Sequence, residues 1–354
     1  QSFVCQEQEM LVTFDSMGAE RQAELAHSPL EDAEALDAIP AIVAAAKGRQ
    51  IVILNESHHM ARHRAFALEL ARALRAEGFD TFAAEAFGDV AKTVARGYPA
   101  RDTGFYTAEP VFGELVRGVL ALGYTPIAYE AEARAPGGDV NERINRREIE
   151  QAQNLFARVF QVNPKARLFA YVGYSHATED WQTLSDGGEL AWMAARLAKL
   201  TGSDPQTVGV ARSEPVFESP HWRRAEERGL LAGPRVFRLA DGGFFTAGSF
   251  AKKVDVQVFH PRSTESYGRP DWLAAGRTAL ALPKELAGEL AKGERLLVQA
   301  FHAGEGADAI PADQFVVEGD PILPRLMLRK GEYRLLLQDA AGKERRRLEG
   351  VRVE

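Results

Sequence analysis

Four apolar segments of this chain each run into an ionisable side chain. Ile51–Leu54 leads into Glu56-Ser57-His58-His59, Thr81–Ala84 into Glu85, Pro126–Tyr129 into Glu130, and Leu168–Val172 into His176. Carboxylates within reach of imidazoles are acid/base equipment: the carboxylate fixes the tautomer of the ring and raises its basicity. If the four segments are strands of an open α/β sheet, their carboxyl ends share the edge at which such sheets collect ligands. Glu56, His58, Glu85 and His176 are therefore the candidate catalytic residues.

Each has a plainer reading beside it. Glu56 and His58 stand two apart, the strand period, so both face one side; the alternative is a Glu that caps the following helix. His59 and His63 stand four apart and could hold a metal on one helical face, or simply start a helix and decorate its solvated side. Glu85 lies in the run Phe82-Ala83-Ala84-Glu85-Ala86-Phe87. Burial there raises a carboxyl pKa unless a cation or metal pairs with it, as a general base or ligand requires; backbone amides could instead hold it. His176 follows Gly173, which permits close approach, or is a buried His satisfied by a carbonyl. Arg146 and Arg147 open a long helix and could balance the carboxylates or hold an anionic intermediate, or form exposed ion pairs. His59, Arg62, Glu130 and Arg147 are read as substrate or supporting residues. Tyr106, Tyr174 and Trp181 are candidate walls, and the turn-rich stretches 260–262 and 268–272 a lid or specificity loop.

The 354 residues carry 43 basic and 50 acidic side chains, net −7, and no Lys/Arg-rich run, which argues against a nucleic-acid partner. No apolar stretch approaches the ~18 residues of a spanning helix. Cys5 is the only cysteine, so neither an intrachain disulfide nor a Cys-based zinc site can form. The chain begins at Gln1, consistent with removal of a signal peptide or of a tag; a periplasmic or secreted protein and a cytoplasmic one both stay open. No Gly-x-Ser-x-Gly elbow, phosphate-binding loop or dinucleotide fingerprint follows the first strand. A His/Glu-driven hydrolytic or metal site remains.

The supporting elements follow from periodicity. Residues 1–48 read as helical and peripheral. Strands are expected at 49–55, 81–87, 126–130 and 167–174, with helices near 60–77, 112–122 and 141–162, and a loop-rich stretch at 88–111. Helix 189–200 and strands 207–211 and 235–239 continue the alternation. The result is an α/β fold with a mostly parallel sheet flanked by helices. After about Asp255 short strands with turns predominate. The expected division is an α/β domain over 1–281, with an N-terminal helical extension, and a small β-rich C-terminal domain over 282–354.

Asn55-Glu56-Ser57-His58-His59, then Arg62-His63-Arg64 and Ala84-Glu85-Ala86, resemble the erythromycin esterase-like, ChaN-like and Tiki-like superfamily. Arg147-Glu148-x-x-Gln151-Ala152-x-Asn154 and the later Gly173-Tyr174-Ser175-His176 are similar to its Arg-Asp helix and late His element. The resemblance spans about 49–180. It implies an α/β fold with its site at the strand ends. Some members open a macrolide lactone with a His-activated water and no metal; Tiki-like members are metal-dependent peptidases, and the ChaN-like branch is associated with haem. Carried over, Glu56 and His58 match the first motif, Glu85 the second Glu and His176 the late His. Asn55 stands where the family has Gly, and the Glu-to-His spacing is one shorter than in the macrolide esterases, nearer the ChaN-like and Tiki-like side. Two functions are thus expected. One is a hydrolase acting on an ester, lactone or amide of a small molecule or peptide, with or without a divalent metal on Glu56, His58 and His176. The other is a non-enzymatic haem or metal binder.

Overall fold

The computed structural model describes residues 27–131, 137–183, 188–210, 219–290, 294–318 and 323–354. Its centre is a parallel sheet of six strands: β1 (Ile51–Glu56), β2 (Thr81–Ala84), β3 (Thr125–Ala128), β4 (Leu168–Gly173), β5 (Gln206–Gly209) and β6 (Val256–Gln257). Their order across the sheet is β6-β5-β1-β4-β2-β3. β1 and β4 are buried along their whole length. That explains their unbroken apolar runs, since a strand covered on both faces has no solvent side to alternate with.

Alternate side chains of β1 serve two cores. Val52 and Leu54 join Phe66, Leu70 and Leu74 of helix α1 (Ala61–Ala76) and Phe112, Leu115 and Val119 of α2 (Pro110–Ala121). Ile51 and Ile53 join Ala152 and Leu155 of α3 (Val140–Leu155) and Met193 and Leu197 of α4 (Met193–Thr201). The strand period of two puts these sets on opposite faces. The chain runs outward from β1 through β2 to β3, then returns to insert β4 between β1 and β2. β1 and β4 therefore lie side by side where the winding reverses, with Glu56 opposite Gly173 in register. A crevice opens at the carboxyl ends of strands at such a reversal.

Local signals set the helix starts. The Glu109 carboxylate accepts from the amides of Val111 and Phe112, with Pro110 in the first turn of α2. Asp139 and Glu142 form a reciprocal capping box on α3.

The C-terminal region is an antiparallel sheet of β7 (Arg295–His302), β8 (Asp313–Glu318), β9 (Gly331–Asp339) and β10 (Glu344–Val353), ordered β8-β7-β9-β10. Val298, Phe315, Leu335 and Leu337 fill its own apolar cluster. It is fastened to α2 by Arg117, bonded to Glu305 at 2.5 and 2.6 Å, and by His302, 3.3 Å from Glu114.

The fold class is the expected one, with several local departures. Glu34–Asp37 is a strand rather than helix, paired antiparallel with Arg235–Arg238, so 235–238 is not part of the parallel sheet. Val256–Gln257, expected among the C-terminal strands, is instead its edge. The stretch 88–111 contains a helix at Val90–Arg96 and two short 3-10 turns. Residues 181–183 and 189–191 form a hairpin before α4. Cys5 lies outside the described residues. No helix among the described residues is long and apolar enough to cross a membrane.

Candidate active site

Glu56 is the last residue of β1, and its side chain is 3% exposed. His58 Nδ1 lies 2.8 Å from Oε1, and the Tyr171 hydroxyl donates to Oε2 at 2.7 Å. Arg64 donates through Nε to Oε2 at 2.9 Å and through Nη2 to Oε1 at 3.3 Å. The same guanidinium reaches Glu109 at 3.1 Å and the His58 carbonyl at 2.6 Å. Burial pushes the Glu56 pKa up, but Arg64 and His58 more than offset it, and the group stays ionised below its ordinary range. A fixed carboxylate therefore holds one edge of the His58 ring.

The rest of that ring is packed with equal care. Tyr106 stacks on it at 4.1 Å and 14°, and Tyr174 meets it edge-on at 5.0 Å. Its other edge looks over Gly173, where an added Cβ would fall 2.5 Å from His58 Nε2 and 2.9 Å from Glu85 Oε2. His58 Nε2 and Glu85 thus crowd one point above bare backbone. Glu56, His58, Glu85, Phe112, Tyr171 and Gly173 line a small open pocket here.

Glu85 follows β2 directly. Its Oε2 accepts from the Gly173 amide at 2.6 Å, and its Oε1 accepts from Arg147 at 2.5 Å and lies 3.5 Å from His176 Nε2. Burial pushes its pKa up, but His176, Arg147 and His58 drive it far below the usual carboxylate range. The apolar run around Glu85 thus does not raise its pKa; two cations from α3 and the β4 end reverse the effect.

His176 is anchored from behind, its Nδ1 2.8 Å from Glu148, which also accepts from the Met193 amide at 2.8 Å. Burial opposes protonation, and Arg147 Nη1 lies 3.0 Å from Nε2. Two carboxylates outweigh that burial, and the His176 pKa is pushed up to about 10. Glu130 holds Arg147 at 2.5 and 2.9 Å and accepts from Gln151 at 3.0 Å. Its role is to position Arg147, which stays one-third exposed at the mouth.

Glu56, His58 and Glu85 line one pocket, and His176 and Arg147 join them through Glu85, but other expected residues do not. Arg62 is buried in the opposite direction, donating to the Pro261 carbonyl at 2.6 Å and the Ser263 hydroxyl at 2.5 Å. It ties α1 to the 261–263 segment, which leaves that segment a buttress. His59 and His63 are not a metal pair. His59 meets the Tyr174 hydroxyl at 3.2 Å, while His63 accepts from the Ser57 amide at 3.0 Å and stacks on His260. Burial and nearby Arg64 lower the His59 pKa to about 4, and burial and neighbouring cations hold His63 well below its ordinary value. Arg146 is exposed, bonded to the Gly137 carbonyl, and Trp181 packs with Arg196 and Lys199.

Nor do Glu56, His58 and His176 fit a metal. Both Glu56 oxygens serve Arg64, with Tyr171 and His58, and His176 Nδ1 serves Glu148. Among the described residues no three His, Cys, Asp or Glu side chains are placed to hold an ion. Haem fits no better: the pocket has room for about one water molecule, and the Tyr174 hydroxyl faces His59.

Sequence reasoning quoted Arg64 and Glu148 only as parts of the resembling motifs, with no role, and missed Tyr171 and Glu109. The first was masked by its apolar-faced helix, and the others sit in runs with no unusual spacing. Asn55 also acquires a purpose: its side chain donates to the Tyr174 carbonyl and accepts from the Val210 amide, both at 2.6 Å, knitting the ends of β1, β4 and β5. Tyr174 keeps an unusual φ of +36° under that restraint, a strained geometry that clusters at functional sites.

Fold and crevice define an open parallel α/β protein with a cluster of Glu, His and Arg side chains at its switch point. No protein-family model matches the chain, and no curated protein matches it. Among solved structures, one of bacterial protein toxins is 15% identical over 52% of this chain and 38% of its own, with a TM-score of 0.38. RRSP, a MARTX toxin effector domain from Vibrio vulnificus CMCP6, is 17% identical over 58% of this chain and 44% of its own, TM-score 0.37. The C-terminal region of Pasteurella multocida toxin, whose structures reveal a thiol-protease-like catalytic triad, is 10% identical over 96% and 50%, TM-score 0.35. The chain spans half or less of the length of these structures, and likenesses this slight carry no argument about activity.

Proposed function

We propose that the protein is a hydrolase that activates water with the Glu56–His58 pair and attacks an ester, lactone or amide carbonyl. The observation that carries this reading is the position of His58. One ring nitrogen is fixed 2.8 Å from Glu56 while the other faces Glu85 across the bare backbone of Gly173. With Nδ1–H donated to Glu56, Nε2 is left to accept a proton. A water placed between Nε2 and the Glu85 carboxylate would be held by both. As its oxygen bonds to the carbonyl carbon, its proton passes to Nε2, and the carbonyl oxygen takes up the negative charge. Arg147 and protonated His176 stand on the far side of Glu85 to meet that charge. When the oxyanion charge collapses back to the carbonyl and the bond to the leaving group breaks, the imidazolium of His58, stabilised by Glu56 and Glu85, gives its proton to the departing oxygen or nitrogen, leaving the carboxylic acid.

Glu85 is too acidic to be the base itself. Its assigned work is to orient the water and to hold Arg147 and His176 in place. This metal-free chemistry is that of the lactone-opening members of the superfamily that residues 49–180 resemble, whereas the Glu-to-His spacing stands nearer its ChaN-like and Tiki-like members; we propose that the α/β domain over 1–281 belongs to that superfamily and that residues 282–354 are a separate small β domain. Hydrolysis of a panel of p-nitrophenyl esters, lactones and peptides, in chelator-treated protein, tests the reading. Cleavage by the wild type that disappears in both His58→Asn and His176→Gln supports it, and no cleavage across the panel refutes it.

A further inference from the structure

We infer that the turn at 104–108 forms an aromatic shelf that selects substrates with an aromatic or large aliphatic group next to the scissile carbonyl. This rests on the hydrolytic reading above and names the substrate class it serves. Phe105 is 72% exposed, although its phenyl ring gains by leaving water. It lies edge-on to Tyr106 at 5.2 Å and 78°, and Tyr106 is the ring stacked on His58. A continuous aromatic surface therefore leads from solvent to the candidate base.

The turn that carries this surface is clamped. Gly104 has φ +150°, and a Cβ there would fall 1.7 Å from the Ala86 carbonyl oxygen, so only glycine lets the turn sit against the residue after Glu85. The Gly88 amide donates to the Thr103 carbonyl at 2.7 Å, and the Thr107 hydroxyl donates to the Gly104 carbonyl at 2.8 Å. The exposed ring is thus presented on a braced support joined to the same strand end as Glu85. An apolar group lying on Phe105 would bring its adjoining carbonyl toward His58 and Arg147, whereas a substrate lacking that group gains only the contacts at the carbonyl.

The test compares p-nitrophenyl phenylacetate with p-nitrophenyl acetate. Wild type is expected to favour the phenylacetate by at least about tenfold in kcat/KM, and Phe105→Ser to lower kcat/KM for it about tenfold more than for the acetate. Equal losses on both esters, or no loss, overturn the shelf. A second measurement separates this inference from the hydrolytic reading. Phenylacetone and acetone, carbonyl compounds with no leaving group, are titrated while the His58 ring proton shift is followed. A saturable shift with phenylacetone only, lost in Phe105→Ser at unchanged melting temperature, supports the shelf even if no ester is cleaved. No shift in the wild type overturns it, whatever the ester assay shows.

Discussion

Arg64 and Glu56 form a two-point ion pair, Nε to Oε2 at 2.9 Å and Nη2 to Oε1 at 3.3 Å, with both side chains at most 3% exposed. Such a pair is costly to desolvate and rigid once made, so its value is geometric more than energetic. It converts the flexible end of a strand into a fixed bracket for His58. The bracket is closed by Tyr171 from β4 and Glu109 from the start of α2, so with β1 and α1 four elements fix where one imidazole points.

Breaking the bracket should therefore cost stability as well as rate. Arg64→Leu leaves Glu56 and Glu109 buried without their cation, and a loss of about 3–5 kcal/mol is expected on denaturant unfolding. A loss below about 1 kcal/mol would show that the two carboxylates are better solvated than their burial indicates.

His58 is different, because its side chain is one-fifth exposed and is held by one bond to Glu56 and by Tyr106 stacked on its face. His58→Asn is expected to leave the melting temperature nearly unchanged while kcat/KM falls by at least ~100-fold, the scale of a lost general base. A variant that keeps most of its activity would move the base elsewhere.

Gly173→Ala tests the close approach directly. Its methyl carbon would stand 2.4 Å from His58 Cε1, and the ring, stacked on Tyr106 and tethered to Glu56, has little freedom to retreat. Activity is expected to fall as in His58→Asn, together with a changed His58 ring proton shift; an active enzyme with an unmoved ring signal would contradict the geometry.

Arg147 is assigned to the transition state, so Arg147→Met should lower kcat by ~100-fold or more with a smaller change in KM. A rise in KM at constant kcat would instead make it a ground-state binding residue.

Stability should peak near pH 6.5. The His176 pKa rises on folding from 6.5 to about 10, so its contribution is complete below ~pH 6.5 and is lost as pH climbs toward 10. His59, His63 and His260 shift the other way, His59 to about 4, so their contribution is present above ~6.5 and fades as the pH falls. Glu85, lowered on folding from 4.5, adds a further loss as pH drops below that value. Melting temperatures from pH 4 to 10 should trace this dome, and His176→Gln should flatten its alkaline side. An alkaline limb unchanged by that substitution would mean His176 is neutral in the folded protein.

The strand-end chemistry was legible because it is local. An apolar run of fixed period must be a buried strand, and a Glu or His at its carboxyl end must emerge at the ligand edge; Glu56, His58, Glu85 and His176 need nothing more to be found. The alternation of strands and helices likewise declares a parallel sheet. Ionisation states were not legible, since they depend on groups distant in the chain. The apolar neighbours of Glu85 argue for a raised pKa, and only the arrival of Arg147 from α3 and His176 from the β4 end reverses it. Arg62, His63 and Arg64 look interchangeable in sequence, yet helical geometry sends one toward Pro261, one beneath the Ser57 amide and one into Glu56. The pairing of Glu34–Asp37 with Arg235–Arg238, and of Val256–Gln257 with β5, joins segments too short to announce a partner. Sequence determined that Glu56, His58, Glu85 and His176 stand at strand ends; tertiary packing decided which other side chains, Arg64 and Tyr171 among them, join the crevice, which groups are charged and which way they face, because those are set by neighbours that only the folded chain brings within a few ångströms.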